Sequence, residues 1–244
     1  MLAGLYIGFG GQFFLVALAS GMGKVVGGFM FSVGVILVVI AGAELFTGNV
    51  TSIIGVLAGV IPKRRMMKNW VAVYIGNFIG SILFAWFMSQ SGLFGQAGAL
   101  NDLGILSVKV AESKLTIPFF QAVIRGIFCN ILVILAIIMA VMAKDIVSKI
   151  LSIVFPIACF VACGFEHCVA NMYLIPVGLL VKGMPLSHTW VMFGNLIPVT
   201  IGNLIGGIAI LIAIRIESGR SISCSKNTRL QNRRTRYNLN NGAS

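Results

Sequence analysis

The sequence predicts an all-α integral membrane protein with six transmembrane helices in two inverted three-helix repeats, the second and fifth helices being interrupted. Three observations lead there. Of the 244 residues 58% are hydrophobic and only 10% charged, with a mean hydropathy of +1.01, so the apolar surface exceeds what one water-soluble core can hide. Uncharged runs at 25–43, 69–101, 126–143 and 183–214 reach or exceed the roughly 18–20 residues that span about 30 Å of hydrocarbon. Finally, the chain repeats itself. AGAELFTGN (41–49) and CGFEHCVAN (163–171) align Gly42, Glu44 and Asn49 with Gly164, Glu166 and Asn171 at a shift of 122 residues, and IGNFIGS (75–81) matches IGNLIGG (201–207) at a shift of 126.

The expected spans run over about 1–20, 25–62, 70–90, 117–142, 150–181 and 190–214. The first lacks a basic n-region and shares the glycine pattern of later spans, so it is a retained helix rather than a signal peptide. The second and fifth are too long for one plain helix and carry their polar residues near the middle, which predicts breaks. Each half supplies three spans. An odd number forces the second half to enter from the opposite side, which makes the repeats inverted and places a solute path at their interface, lined by discontinuous helices. Residues 1–218 form the expected channel domain, with repeats at about 1–90 and 117–214, and 219–244 a basic, disordered cytoplasmic tail.

The net charge of +12 is placed by topology rather than by nucleic acid. Lys63, Arg64, Arg65, Lys68, Lys144, Lys149 and seven basic residues between Arg215 and Arg236 share one side if both termini are cytoplasmic. That leaves Lys24, Lys109, Lys114 and Lys182 outside and Arg125 within the fourth span, the bias of a multi-pass protein of a bacterial-type plasma (inner) membrane. The five cysteines show no CxxC zinc pattern and read as buried or reduced thiols.

Glu44 and Glu166, with Asn49 and Asn171, hold equivalent repeat positions, so their first assignment is structural: capping free amides or bridging neighbouring helices at the two breaks. His167 differs, because its repeat partner is Leu45. A residue present in one repeat only marks a task.

AELFTGN, GIFCN (126–130), GFEHCVANM and NLIPVTIGNLIGG resemble the formate/nitrite transporter family, which includes hydrosulfide channels, over about residues 1–214. The resemblance implies an aquaporin-like fold and a homopentamer with one pore per subunit. It makes His167 the central pore histidine and Thr47 the threonine facing it, with Leu45 and Phe46 in a loop narrowing the cytoplasmic side. Phe31 and Phe160 match aromatic constriction positions, and Val35, one turn beyond Phe31, falls where a further apolar constriction residue is expected. Asn130 and Asn203 match asparagines of the polar network around the histidine, and Lys114 the vestibule lysine. Because the chain begins inside the first span, the family's N-terminal gating helix is expected to be absent.

The implied function is a channel or proton-linked transporter for small monovalent weak-acid anions. The partners are formate or nitrite, hydrosulfide as the alternative, protons and the lipid bilayer, with no cofactor, metal or nucleic acid. The anion would be drawn in by Lys114 and helix N-termini and would pass the phenylalanines as its neutral acid, with His167 donating the proton or polarising the site. An aquaporin-like neutral-solute channel would show an NPA pair, where this chain has GNV and ANM. An enzyme would need a catalytic constellation, and Glu166 and His167, adjacent on a helix, would point about 100° apart.

Overall fold

Helix, break and helix again is the recurring pattern of the computed structural model, which describes residues 1–96 and 98–241, with side chains as far as Ser218. The elements are α1 (Leu2–Ala19), α2 (Gly23–Ile40), α3 (Phe46–Asn49), α4 (Ser52–Leu57), α5 (Lys63–Ser89), α6 (Asp102–Leu115), α7 (Phe119–Met142), α8 (Ile146–Ala162), α9 (Cys168–Val181) and α10 (Phe193–Asn241). A two-stranded antiparallel hairpin, β1 (Gly95–Gln96) and β2 (Ala99–Leu100), precedes α6. By length and apolarity α1, α2, α5, α7 and residues 186–218 can each cross a membrane, and α8 and α9 are shorter apolar helices. Phe9, Phe29, Phe87, Phe155 and Ile197 lie exposed on the outer surface. A surface so apolar is matched by lipid hydrocarbon or by another protein surface. Inside, small residues bring helix backbones together. A Cβ on Gly126 of α7 would stand 2.8 Å from the Val199 carbonyl oxygen of α10.

Both interruptions are built alike. α2 and α8 end at Gly42 and Gly164, with φ of 82° and 72°, a left-handed conformation that glycine adopts without strain. The amides of Ala43 and Phe165 then reach back five residues to the Val38 and Phe160 carbonyls, at 2.9 and 3.0 Å, closing each helix in a Schellman-type turn. Leu45 and His167 are extended, with ψ of 126° and 118°, and serve as the N-caps of α3 and α9. Glu166 and His167 therefore lie in extended chain and not on a helix, which removes the 100° separation expected from helical geometry.

Repeat-equivalent residues also touch one another. Ser32 Oγ donates to the Val154 carbonyl at 3.2 Å across a separation of 122 residues, and Tyr74 Oη meets Thr200 Oγ1 at 3.1 Å across 126. A residue can contact its own symmetry mate only at the axis relating the two copies. These contacts join residues at the same two shifts, 122 and 126, that relate the repeated motifs.

Two features depart from the expected spans. The second half of span two is short, α3 and α4 being separated by a turn in which Thr51 Oγ1 and Ser52 Oγ donate to the Gly48 and Asn49 carbonyls at 2.8 and 2.7 Å and compete with the helix ladder. Between spans three and four stands α6. Its first turn is capped by Asn101, whose Oδ1 accepts from the Gly104 amide at 3.0 Å, and Asp102 and Lys114 lie in its first and last turns, where each charge opposes the helix dipole. The backbone of α10 is helical to Asn241, and the side chains of the expected basic tail, 219–244, lie outside the described residues. Among the described side chains Cys129 and Cys168 are buried and Cys159 and Cys163 exposed, all four as free thiols.

Candidate functional site

Breaking a helix inside a membrane frees amides and carbonyls that must find partners, because water is absent. Two asparagines supply them. Asn77 Oδ1 accepts from the Phe46 amide at 2.9 Å while its Nδ2 donates to the Glu44 carbonyl at 3.0 Å. Asn203, at the repeat-equivalent position, accepts from the Cys168 amide at 2.9 Å and donates to the Glu166 and Gly126 carbonyls at 2.9 and 2.8 Å. Asn130 is buried and donates from Nδ2 to the Asn203 carbonyl at 2.6 Å and to the Thr47 carbonyl at 3.5 Å.

The two glutamates bridge instead of capping. Asn49 and Asn69 donate to Glu44 Oε2 at 3.0 and 2.9 Å, and Trp70 Nε1 ties α5 to the Asn49 carbonyl at 2.9 Å. In the second repeat Asn171 Nδ2 donates to Glu166 Oε2 at 2.6 Å and to Asn195 Oδ1 at 2.7 Å. Only here is a cation added. Lys114 Nζ lies 2.9 Å from both oxygens of Glu166, with side-chain exposures of 14% and 5%.

His167 sits at the second break, almost wholly buried. The Ala170 amide donates to its Nδ1 at 3.1 Å. An amide only donates, so Nδ1 is the acceptor nitrogen and the ring proton belongs on Nε2, which stands 2.8 Å from Thr47 Oγ1 and donates to it. A proton added at Nδ1 would set two N–H donors face to face. One side of the ring is Phe160, stacked at 6.0 Å between centroids, and Phe160 meets Phe31 edge-on at 5.8 Å. Phe31, Phe160, Val35, Leu45 and Phe46 are all buried, Phe46 being held edge-on to Tyr74.

A cavity of about 270 Å³ opens onto this aromatic pair and the histidine, and Lys24, Lys114, Arg125, Glu166 and Asn171 stand in its walls. Asn171 Oδ1 and Asn130 Oδ1 are buried without a hydrogen-bond partner. On the opposite side, a cavity of about 690 Å³ is lined by Met1, Glu44, Asn69 and Asn77 among others. The structure thus brings His167, Lys114, Phe31 and Phe160 to one cavity, with Thr47 hydrogen-bonded to His167 and Asn130 and Asn203 bonded to the backbone beside them. Val35, Leu45 and Phe46 pack in the buried interior, and Glu44 and Asn49 stand at the first break. Sequence reasoning left out Asn69, Asn195 and Arg125. The first two were visible as another asparagine pair at a shift of 126, and Arg125 as the one cation inside a span. Among the described residues no group of three or more His, Cys, Asp or Glu is placed to hold a metal.

The sequence profile described as formate/nitrite transporter matches residues 1–216. A formate channel FocA of Haemophilus influenzae is 38% identical over 214 residues, covering 80% of this chain and 73% of that protein. The formate channel FocA of Escherichia coli K12 is 37% identical over 228 residues, covering 84% and 79%. A probable formate transporter of Methanothermobacter thermautotrophicus is 42% identical over 238 residues, covering 87% and 84%. A solved pentameric formate channel with formate bound superposes with a TM-score of 0.74 at 34% identity, over 88% of this chain and 92% of that one. An FNT family ion channel does so with a TM-score of 0.76 at 32% identity, over 86% and 84%.

Proposed function

The chain belongs to the formate/nitrite transporter family, and from that premise we propose that it carries small monovalent weak-acid anions with protons across a membrane, formate or nitrite before hydrosulfide. The assembly is a homopentamer with a pore in each subunit, in a bacterial-type inner membrane with both termini cytoplasmic. Lys24, Lys114 and Arg125 around one cavity support the sidedness, since those three cations fall together away from the basic cluster at Lys63–Lys68.

The observation that carries the reading is the make-up of one cavity, which sets Lys24, Lys114 and Arg125 in the same wall as the Phe31–Phe160 pair and as His167, itself hydrogen-bonded to Thr47. A bare anion crossing such an apolar step loses its water without replacement, whereas its neutral acid loses far less. Desolvation raises the proton affinity of the anion as it nears the phenylalanines. Asn171 Oδ1, a buried acceptor without a partner in the cavity wall, suits the O–H of an acid better than the oxygen of an anion. For His167 the tautomer supports polarisation over proton supply. Its single ring proton already serves Thr47, and the Ala170 amide occupies the other nitrogen.

Proteoliposome flux of formate, nitrite, hydrosulfide and chloride at several pH values tests this, with His167→Gln and His167→Phe beside the wild type. Gln carries an N–H near the Nε2 position but cannot exchange a proton. The expected result is fast weak-acid flux with little chloride, largely kept in His167→Gln and reduced in His167→Phe. Loss of formate flux in folded His167→Gln as complete as in His167→Phe would refute polarisation.

A further inference from the structure

The cavity above the phenylalanines is lined by three cations, and they are not equivalent. Lys114 is spent: both oxygens of Glu166 lie 2.9 Å from its ammonium, so the pair presents no net charge to an arriving anion. Lys24 stands exposed at the start of α2, where solvent screens it. Arg125, half-buried in the second turn of α7, is held next to the second break, because its carbonyl accepts from the Glu166 amide at 3.3 Å. Its guanidinium has five N–H donors. Among the described residues only one hydrogen bond engages it, a long 3.4 Å contact from Nη2 to the exposed Gln121 Oε1.

We propose that Arg125 is a specificity-determining residue of the outer cavity, capturing planar two-oxygen anions through its guanidinium fork. The inference rests on the transport function proposed above and deepens it. A guanidinium offers two parallel N–H groups spaced for a carboxylate or nitrite, whereas a lysine is a point charge. An anion with a single acceptor atom, such as hydrosulfide, cannot present two oxygens to both arms of the fork, so the arginine favours formate and nitrite over hydrosulfide at the mouth of the path. The Lys114–Glu166 pair positions the break, and Arg125 selects.

The test compares wild type, Arg125→Lys and Arg125→Gln in proteoliposomes, measuring concentration-dependent flux of formate, nitrite and hydrosulfide after subtraction of the protein-free leak. Arg125→Lys keeps the charge and loses the fork. The formate-to-hydrosulfide and nitrite-to-hydrosulfide ratios at low concentration fall about tenfold, the difference between a bidentate charged hydrogen bond and a point contact. That fall arises through a higher half-saturating concentration, the maximal rate being kept. In Arg125→Gln the flux of all three anions falls, formate and nitrite most. Ratios within one preparation cancel any difference in the amount of folded protein. If Arg125→Lys leaves both ratios at the wild-type value, or lowers all three fluxes equally, Arg125 does not select. If the wild type moves none of the three anions, the transport reading itself fails, and that result is distinct from an unchanged ratio.

Discussion

Replacing Asn203 by Ala should destabilise the protein more than replacing its repeat mate Asn77, although each closes an equivalent break. Asn203→Ala removes three hydrogen bonds. The Gly126 carbonyl keeps its place in the α7 ladder, so two groups are orphaned: the Cys168 amide and the Glu166 carbonyl. At about 1–3 kcal/mol for each buried group left without a partner, the loss is about 2–6 kcal/mol. Asn77→Ala orphans the Phe46 amide and the Glu44 carbonyl in the same way. Glu44, however, is exposed beside the 690 Å³ cavity whereas Glu166 is 4% exposed, so water can take over the lost bond at the Glu44 carbonyl and the loss falls to about 1–2 kcal/mol. For a chain of this size each kcal/mol moves Tm by about 2–4 °C. Detergent-solubilised protein, heated and then assayed by gel filtration for the folded fraction, should lose roughly 5–20 °C in Asn203→Ala and no more than about 8 °C in Asn77→Ala. Equal shifts, or a larger one for Asn77→Ala, would refute the assignment of these side chains as caps whose worth is set by access to water.

Three further outcomes follow from the same contacts. Lys114→Met leaves Glu166 buried with its charge unmatched and should cost about 3–5 kcal/mol, while Lys114→Met with Glu166→Gln should recover most of it; a thermal double-mutant cycle with additive losses would show that the pair is not coupled. Phe160→Ala removes one face of the aromatic step at 5.8 Å, so the flux of lactate relative to formate should rise about tenfold or more, and an unchanged ratio would place the size filter elsewhere. At the start of α8, the Ser148 hydroxyl and then its amide, at 2.6 and 2.9 Å, hold the Asp145 carboxyl below its ordinary value. A depressed folded value stabilises above the unfolded value of about 3.9 and is lost as pH falls through the folded one, so Asp145→Asn should have a weaker dependence of Tm on acid below about pH 4 than the wild type.

The apolar helices, five of them long enough to span among the described residues, and the two interruptions were legible because bilayer insertion imposes its signal on every residue of a span, and because the chain states each break twice. The helix α6 was not legible that way. Its Asp102, Lys109, Glu112 and Lys114 dilute hydropathy, and its stability comes from its caps and from packing on α9, a tertiary fact. The partners at the breaks were hidden for a related reason: Asn69 donates to Glu44 from 25 residues away, and Asn195 reaches Glu166 only through Asn171, 24 residues away, distances that no local pattern encodes.

What the repeat does encode is the division between support and chemistry. Glu44, Asn49 and Asn69 form one bridging set, and Glu166, Asn171 and Asn195 recur at the second break. Asn77 and Asn203 cap both. These groups are needed wherever an apolar helix is interrupted, so both halves carry them. The differences fall at the second break, where His167 stands in place of Leu45, Lys114 pairs with the Glu166 carboxylate, and Arg125 joins them in the wall of one cavity. A path that passed a solute symmetrically would gain from a second histidine at residue 45. A path that must hold an ion on one side and release it as an acid across an apolar step needs charge and hydrogen bonding at one end only, and the departure from symmetry meets that need.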